Sequence, residues 1–428
     1  MKRFLGLLIF LVALPLQAHN IVPGAKQEQA ILLQGGTLHT ISQGSLADTD
    51  LLIVDGSISA IGQGLKAPAD ARIINVSGQH VYPGLIALDT TLGLTELEQA
   101  RPTDDAREVG AVTPEVLAHH AFNADSDIIP TVRYMGITHA ETVPQGSLVN
   151  GRSSLMQLDG WNWRDALEAG PVALHISWPR AGLNSAWWER RSPAEQRKAS
   201  AEAYKQLQDV FVMAQAYHQG RIEGTQKQID QRWEAMRGLF TGDLQLFVHA
   251  DDRRQLEQAI QFNHEYGFAM TFVGARDSWM MADTLAELKI PVIFGYSYGL
   301  PSREDDSYDT AYATPAKLHE AGVDFAIAYP GYWDSRNLAF GAGHAVAYGL
   351  DYQAALRAIT LTPARFMGVD KRLGSLEVGK QATLIVSAGD VLDQLTQSIE
   401  YMFIDGREVN TSNRQLQLYE KYSERPDS

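Results

Sequence analysis

Residues 244–295 read LQLFVHADDRRQLEQAIQFNHEYGFAMTFVGARDSWMMADTLAELKIPVIFG. Three short apolar runs, LQLFVHA, FAMTFVGA and IPVIFG, are separated by two stretches of helical character, DRRQLEQAIQFNHEYG and DSWMMADTLAELK. Short apolar runs of this kind suit strands buried on both faces of a parallel sheet, and each intervening helix covers a face. The same alternation continues outward. Upstream, GITHAETV precedes a glycine-rich loop, and PVALHISW precedes the long helical run SPAEQRKASAEAYKQLQDVFVMAQAYHQG. Downstream, VDFAIAYPG is followed by SRNLAFGAGHAVAYGL and DYQAALRAITLTPARFMG, both helical in texture. Strand–helix alternation kept up over about 280 residues predicts a (β/α)8 TIM-like barrel. A doubly wound open sheet is the competing fold, but no glycine-rich phosphate loop follows a first strand.

Further out the texture changes. QAILLQGGTLHTI, DLLIVDGSISAIGQG and ARIINVSGQHVYPG are β-rich runs broken by Gly, Asp-Gly and Ser-Gly turns. GSLEVGKQATLIVSAGD and IEYMFIDGREV repeat that texture at the far end. The expectation is one small β domain built from both ends, with residues 19–84 and 367–412 flanking a barrel over residues 85–366 and a tail over 413–428.

The first 18 residues, MKRFLGLLIFLVALPLQA, carry Lys2 and Arg3, then an apolar run, then Ala18. This predicts a secretory signal peptide cut before His19, export across the inner membrane and a periplasmic protein. The other reading is an uncleaved membrane anchor. No later segment is long and apolar enough to span a bilayer. Cysteine is absent from the sequence, which excludes disulfides, thiolate metal sites and a cysteine nucleophile. The formal charge of −15 argues against a nucleic-acid partner, which would need a basic face.

Residues 335–386, SRNLAFGAGHAVAYGLDYQAALRAITLTPARFMGVDKRLGSLEVGKQATLIV, followed by FIDGREV, resemble the amidohydrolase superfamily and in particular its imidazolonepropionase-like branch. VTPEVLAHHAFNADS, GITHAETVPQGSLVNGRSSLMQLDGW and VYPGLIALDTTLG extend the likeness over nearly all the chain after the leader. The resemblance implies a (β/α)8 barrel with a small β-sandwich made from both termini. It implies hydrolysis of amide or other non-peptide C–N bonds, often in rings or dipeptide-like molecules. One or two divalent metal ions, zinc above all, would activate a water.

The resemblance also supplies a test, residue by residue. The family's first strand ends in a His-x-His pair, whose alternate side chains face one metal. Here those positions hold Asp89 and Thr91, and Ala87 precedes them. His249 stands at the fifth-strand ligand position. The sixth-strand histidine falls at Val273 and Gly274, and the eighth-strand aspartate, ligand and general base in the family, falls at Tyr329 and Pro330, with Asp334 beyond. His175 is the available donor toward the fourth strand. His139 and Glu141 sit at i and i+2 on another strand. His249, Asp89, His139, Glu141 and His175 are therefore the candidates for a rebuilt metal site. The competing reading makes His139 and Glu141 a hydrogen-bonded pair in a polar core. His119 and His120 read as helical surface residues, and His264, His319 and His344 as helical residues away from the strand ends. Ser297 pairing with His249 is a further candidate chemistry.

Two functions follow. One is a hydrolase with an altered or missing metal centre. The other is a non-catalytic binding protein, a pseudoenzyme serving as a homo-oligomer or as partner of an active amidohydrolase. The aromatic loops WNWRD, AWWERR, YSYGLPSREDDSYD and YPGYWDSR suit a pocket for a small-molecule substrate or ligand, or a subunit interface.

Overall fold

A computed structural model describes residues 22–425; the leader over residues 1–18 lies outside the described residues. Among the described residues no helix is long and apolar enough to cross a membrane.

Both ends of the chain enter a single eight-stranded sheet. Leu384–Ser387 runs antiparallel to His80–Pro83, with Leu384 opposite Pro83 and Ser387 opposite His80. Ile31–His39, Ser45–Val54 and Ser57–Gly62 continue the sheet on one side, and Ile399–Ile404 and Arg407–Glu408 on the other. Its buried side chains include Leu33, Leu51, Ile53, Val81, Leu384, Val386 and Phe403, contributed from both ends. Two Asp-Gly turns make two of its hairpins. Asp55-Gly56 has φ of 47 and 76, and Asp405-Gly406 has φ of 52 and 70. Paired positive φ values match the twist of two-residue hairpins, which is why Asp-Gly serves there. The turns also pack together: a Cβ on Gly406 would lie 2.7 Å from the Gly56 Cα.

The inner strands form two further sheets, one of four strands and one of six. Leu85–Thr90 and Ile137–Thr142 are parallel neighbours. Ala173–Ser177, Gln245–Ala250, Met270–Gly274, Val292–Phe294 and Phe325–Ile327 follow one another, all parallel. Between the two groups the expectation of an all-parallel barrel fails. Residues 149–157 run antiparallel to both neighbours. Their second half, Ser154–Gln157, pairs with Ile137–Thr142, and their first half, Val149–Arg152, pairs with Ala173–Ser177. One stretch of chain thus stitches the sheets, and among the described residues no continuous ladder closes the ring.

Inward side chains from most inner strands still meet in one apolar cluster that includes Ile86, Leu88, Leu155, Phe247, Val273, Ile293 and Ala326. The strand Ile137–Thr142 contributes none of them, because His139 and Glu141 occupy its inward positions. Pro193–Glu223, the longest helix, begins with a capping box between Ser192 and Glu195, has Pro at its first turn and stops at Gly224 (φ 75). The stretch after residue 412, read as a tail, holds a helix, Arg414–Ser423, whose Gln415 accepts a hydrogen bond from Thr131 Oγ1 at 2.7 Å.

Candidate functional site

A cleft of about 260 Å³ opens where the parallel strands end, lined in part by Asp89, Thr91, Arg107, Asn150, Ser177 and His249. Strand register explains this grouping. Ser177 lies opposite His249, and His249 opposite Val273, so all three belong to one level of the inner wall. His175 lies one step deeper, opposite Phe247.

From the cleft a row of donors and acceptors runs inward. Asp89 Oδ1 lies 3.9 Å from His249 Nδ1, too far for a direct hydrogen bond. His249 Nε2 lies 2.9 Å from His175 Nδ1. His175 Nε2 lies 3.2 Å from Glu141 Oε1. The other carboxylate oxygen, Oε2, accepts the Asp89 backbone N–H at 3.0 Å, which Asp89 presents from a left-handed conformation (φ 55). Both His175 and Glu141 are fully buried, whereas the side chains of His249 and Asp89 retain 27% and 15% of their exposure.

This environment separates the two mouth residues. Burial, aided by His175, holds the His249 imidazole down at about 3, so it is neutral at physiological pH. Burial, then Glu141 and Asp251, pushes the Asp89 carboxyl well above its ordinary range. Asp251 is raised by burial too, against a hydrogen bond from Tyr296. A raised carboxyl binds its proton more tightly in the folded chain than in the unfolded one. Its stabilisation is therefore complete below the ordinary carboxyl range and is lost as pH rises through the folded value. Asp89→Asn keeps the shape without the ionisation. It is expected to melt a few degrees above the native chain near pH 8 and to converge with it near pH 4. Equal melting temperatures near pH 8 would refute this.

Of the residues singled out in sequence, Asp89, Glu141, His175 and His249 come together and His139 does not. His139 and Glu141 are not a hydrogen-bonded pair. His139 Nδ1 meets Thr138 Oγ1 at 3.1 Å, and its Nε2 lies 3.8 Å from Glu168, which is itself ion-paired with Arg372. Ser297 does not pair with His249. It is buried, its Oγ has no hydrogen-bond partner among the described residues, and it packs against Gly341. His119 lies in a short 3-10 helix, Ala118–Ala121, but it is buried and not at the surface, 2.7 Å from Ser154 Oγ. Asp334 is exposed beside Arg336. Of the aromatic loops only YPGYWDSR reaches the cleft, through Pro330 and Gly331 and not through a ring of Tyr or Trp; Trp187 and Trp188 are 90% and 63% exposed.

The positions matched to metal ligands can be checked against this wall. Thr91 and Pro330 line the cleft, and Val273 faces inward beside His249. At Gly274 the space for a side chain is taken: a Cβ there would lie 2.6 Å from Asp251 Oδ1. The surviving donors face one another in successive pairs. A bound zinc needs three or four donor atoms converging at about 2.0–2.3 Å, and no gap in the row offers more than two. Among the described residues no group of three His, Cys, Asp or Glu could hold a metal ion. These residues do not fit the two-metal arrangement that the resemblance implies.

Sequence reasoning missed Asp251, Arg107, Asn150 and Ser177, and it named Tyr296 only as part of the aromatic loop YSYGLPSREDDSYD. Asp251 stands two positions after His249 but beyond the end of its strand, Gln245–Ala250, where the two-residue period no longer applies. Arg107 is the one Lys or Arg in the lining among the described residues, and its Nε and Nη2 donate to Gln145 Oε1 at 3.2 and 3.1 Å.

Comparison with known proteins adds the following. A family model described as the amidohydrolase family matches residues 166–409. Amidohydrolase tasK of Hapsidospora irregularis is 25% identical over 190 residues, which cover 41% of this chain and 18% of that protein. The chain thus spans under a fifth of that relative's length. The crystal structure of an amidohydrolase from Thermotoga maritima MSB8 matches with a TM-score of 0.77 at 24% identity, over 89% of this chain and 99% of that one. A prolidase complexed with n-methylphosphonate-l-proline matches with a TM-score of 0.55 at 15% identity, over 89% and 99%. At these identities the solved structures speak for the fold, a TIM-like barrel.

Proposed function

The chain belongs to the amidohydrolase family, and on that premise we propose that it hydrolyses a non-peptide carbon–nitrogen bond in a small cyclic amide or dipeptide-like molecule, at a centre altered from the family's metal pattern. The observation that carries this is the row ending at His249 beside Asp89 in the cleft. Neutral His249 takes a proton from the attacking water. Protonated Asp89 gives one to the departing nitrogen. Two neighbouring groups whose surroundings push them to opposite protonation states are what acid–base hydrolysis needs. Arg107 offers a cationic lip for an anionic substituent of the substrate. Members of the family commonly bind divalent metal, and here a metal would be weakly held or absent. The same reading closes the inner strands into a full barrel, makes the two-ended sheet a sandwich, and has the chain exported to the periplasm with its mature end at His19.

Thr91, Val273 and Pro330, standing where ligands are expected, favour a second reading: a binding protein or the partner subunit of an active amidohydrolase. One experiment separates the two. Purified protein is analysed for metals and offered cyclic imides, N-acyl amino acids and dipeptides, with and without chelator. Turnover that survives chelation supports the hydrolase. No turnover, with a raised melting temperature in the presence of one of these compounds, supports the binding protein. Near two metal ions per chain, lost in His249→Ala, would overturn the altered centre.

A further inference from the structure

We infer that Glu141, His175 and His249 form a proton wire that carries the proton of the attacking water from the cleft to a fully buried carboxylate, with Glu141 as the positioning residue that sets its direction. The inference takes from the proposed hydrolysis the role of His249 as the group that meets water.

The wire follows from counting donors and acceptors. Glu141 receives the Asp89 N–H on Oε2, a donor that cannot be reversed. Its Oε1 faces His175 Nε2. As a carboxylate, Glu141 only accepts, so His175 must carry its proton on Nε2. His175 Nδ1 then has a lone pair and can only accept. Its partner, His249 Nε2, must therefore carry a proton. That leaves His249 Nδ1 bare, pointing toward the cleft and Asp89. One buried carboxylate thus fixes the tautomer of two rings in succession. This is the logic by which a carboxylate orients a catalytic histidine, lengthened by one imidazole.

An imidazole held down at about 3 is by itself a poor resting place for a proton. The wire removes the need for it to be one. The water O–H breaks and its proton joins His249 Nδ1; the proton on His249 Nε2 passes to His175 Nδ1; the proton on His175 Nε2 passes to Glu141 Oε1. The oxygen pair left on the water forms the new C–O bond. When the C–N bond breaks, the nitrogen keeps the bond pair and takes the Asp89 proton. The wire then runs backwards: Glu141 returns its proton to His175 Nε2, His175 Nδ1–H returns one to His249 Nε2, and His249 Nδ1–H passes its proton to the next water in the cleft, which hands one to Asp89 across the 3.9 Å gap. Each ring ends in its starting tautomer, and the net change is water plus amide to acid plus amine.

The same count predicts what Glu141→Gln does. The glutamine carbonyl is claimed by the Asp89 N–H, so its NH2 must face His175 Nε2. That nitrogen becomes an acceptor, and both rings reverse. The test uses the full mature chain, deuterated and labelled with 15N-histidine, with His175→Asn and His249→Asn variants to assign the signals. In the native protein both rings are expected to show a protonated Nε2 and a bare Nδ1. In Glu141→Gln both are expected to show the opposite, and turnover on the substrate panel is expected to fall about 100-fold or more. Protonated Nδ1 in the native protein, unchanged tautomers in Glu141→Gln, or a metal ion bound to either ring each overturns the wire. If the native chain shows the expected tautomers and Glu141→Gln reverses them, but no compound is turned over, the wire stands and the hydrolytic reading falls. The native spectrum decides the resting direction even if the variant does not fold.

Discussion

His249→Ala is expected to lower turnover about 1000-fold while leaving the melting temperature close to native. Among the described residues this side chain is the one imidazole in the cleft lining. Its removal takes away the mouth of the wire and deprives His175 Nδ1, fully buried, of its partner at 2.9 Å. An unsatisfied buried acceptor costs about 1–3 kcal/mol, less than the roughly 5–15 kcal/mol by which folded domains are stable, so the chain should still fold and melt at most a few degrees lower. Affinity for a non-hydrolysed analogue should change much less than turnover, because the loss falls on the proton and not on Arg107, Asn150 or Ser177. Turnover unchanged in His249→Ala would remove this histidine from the chemistry and with it the proposed mechanism.

The largest effect on stability is expected away from the cleft. Asp159→Ala should cost about 3–5 kcal/mol, read as a lower urea midpoint with an unchanged slope. Asp159 is fully buried. Its carboxylate lies 3.1 Å from Arg133 Nη1 and 2.7 Å from Arg407 Nη1, and it accepts the Gly24 N–H at 3.1 Å. Burial outweighs the two arginines and raises this carboxyl. The group is thus expensive to keep, and its removal is worse, because Arg133 is itself buried and would lose its counter-charge. The loss would loosen three parts at once: the segment before the first strand, the helix Ile129–Tyr134 and the strand Arg407–Glu408. A cost below about 1 kcal/mol would show that water reaches the freed guanidiniums.

Much of this architecture is legible in the chain. Asp55-Gly56 and Asp405-Gly406 announce hairpins because few other dipeptides tolerate two positive φ values in a row. The runs ending at His249, Val273 and Phe294 announce parallel strands because both of their faces are apolar. The direction of residues 149–157 is not legible. Alternation tells which side chains share a face and is the same for a strand run either way. At the site, position identified His249 and Asp89. Spacing placed His139 and Glu141 on one face, but it could not say at what depth each meets the opposite wall. Two residues of strand advance by about 7 Å. That step takes His139 down to Glu168 and leaves Glu141 level with His175. Asp251 was missed because it lies past the strand end, where alternation no longer guides the reading.

The seam between His80–Pro83 and Leu384–Ser387 sets a timetable for synthesis. The strands up to Pro83 leave the ribosome first, and their neighbour arrives only after the entire barrel has been made. Until then the edge of His80–Pro83 is bare, with N–H and C=O groups free to recruit any passing strand. The nascent chain is therefore most vulnerable to mispairing while its barrel is still emerging. Delayed compaction of this kind makes a truncated N-terminal fragment the form most prone to aggregate.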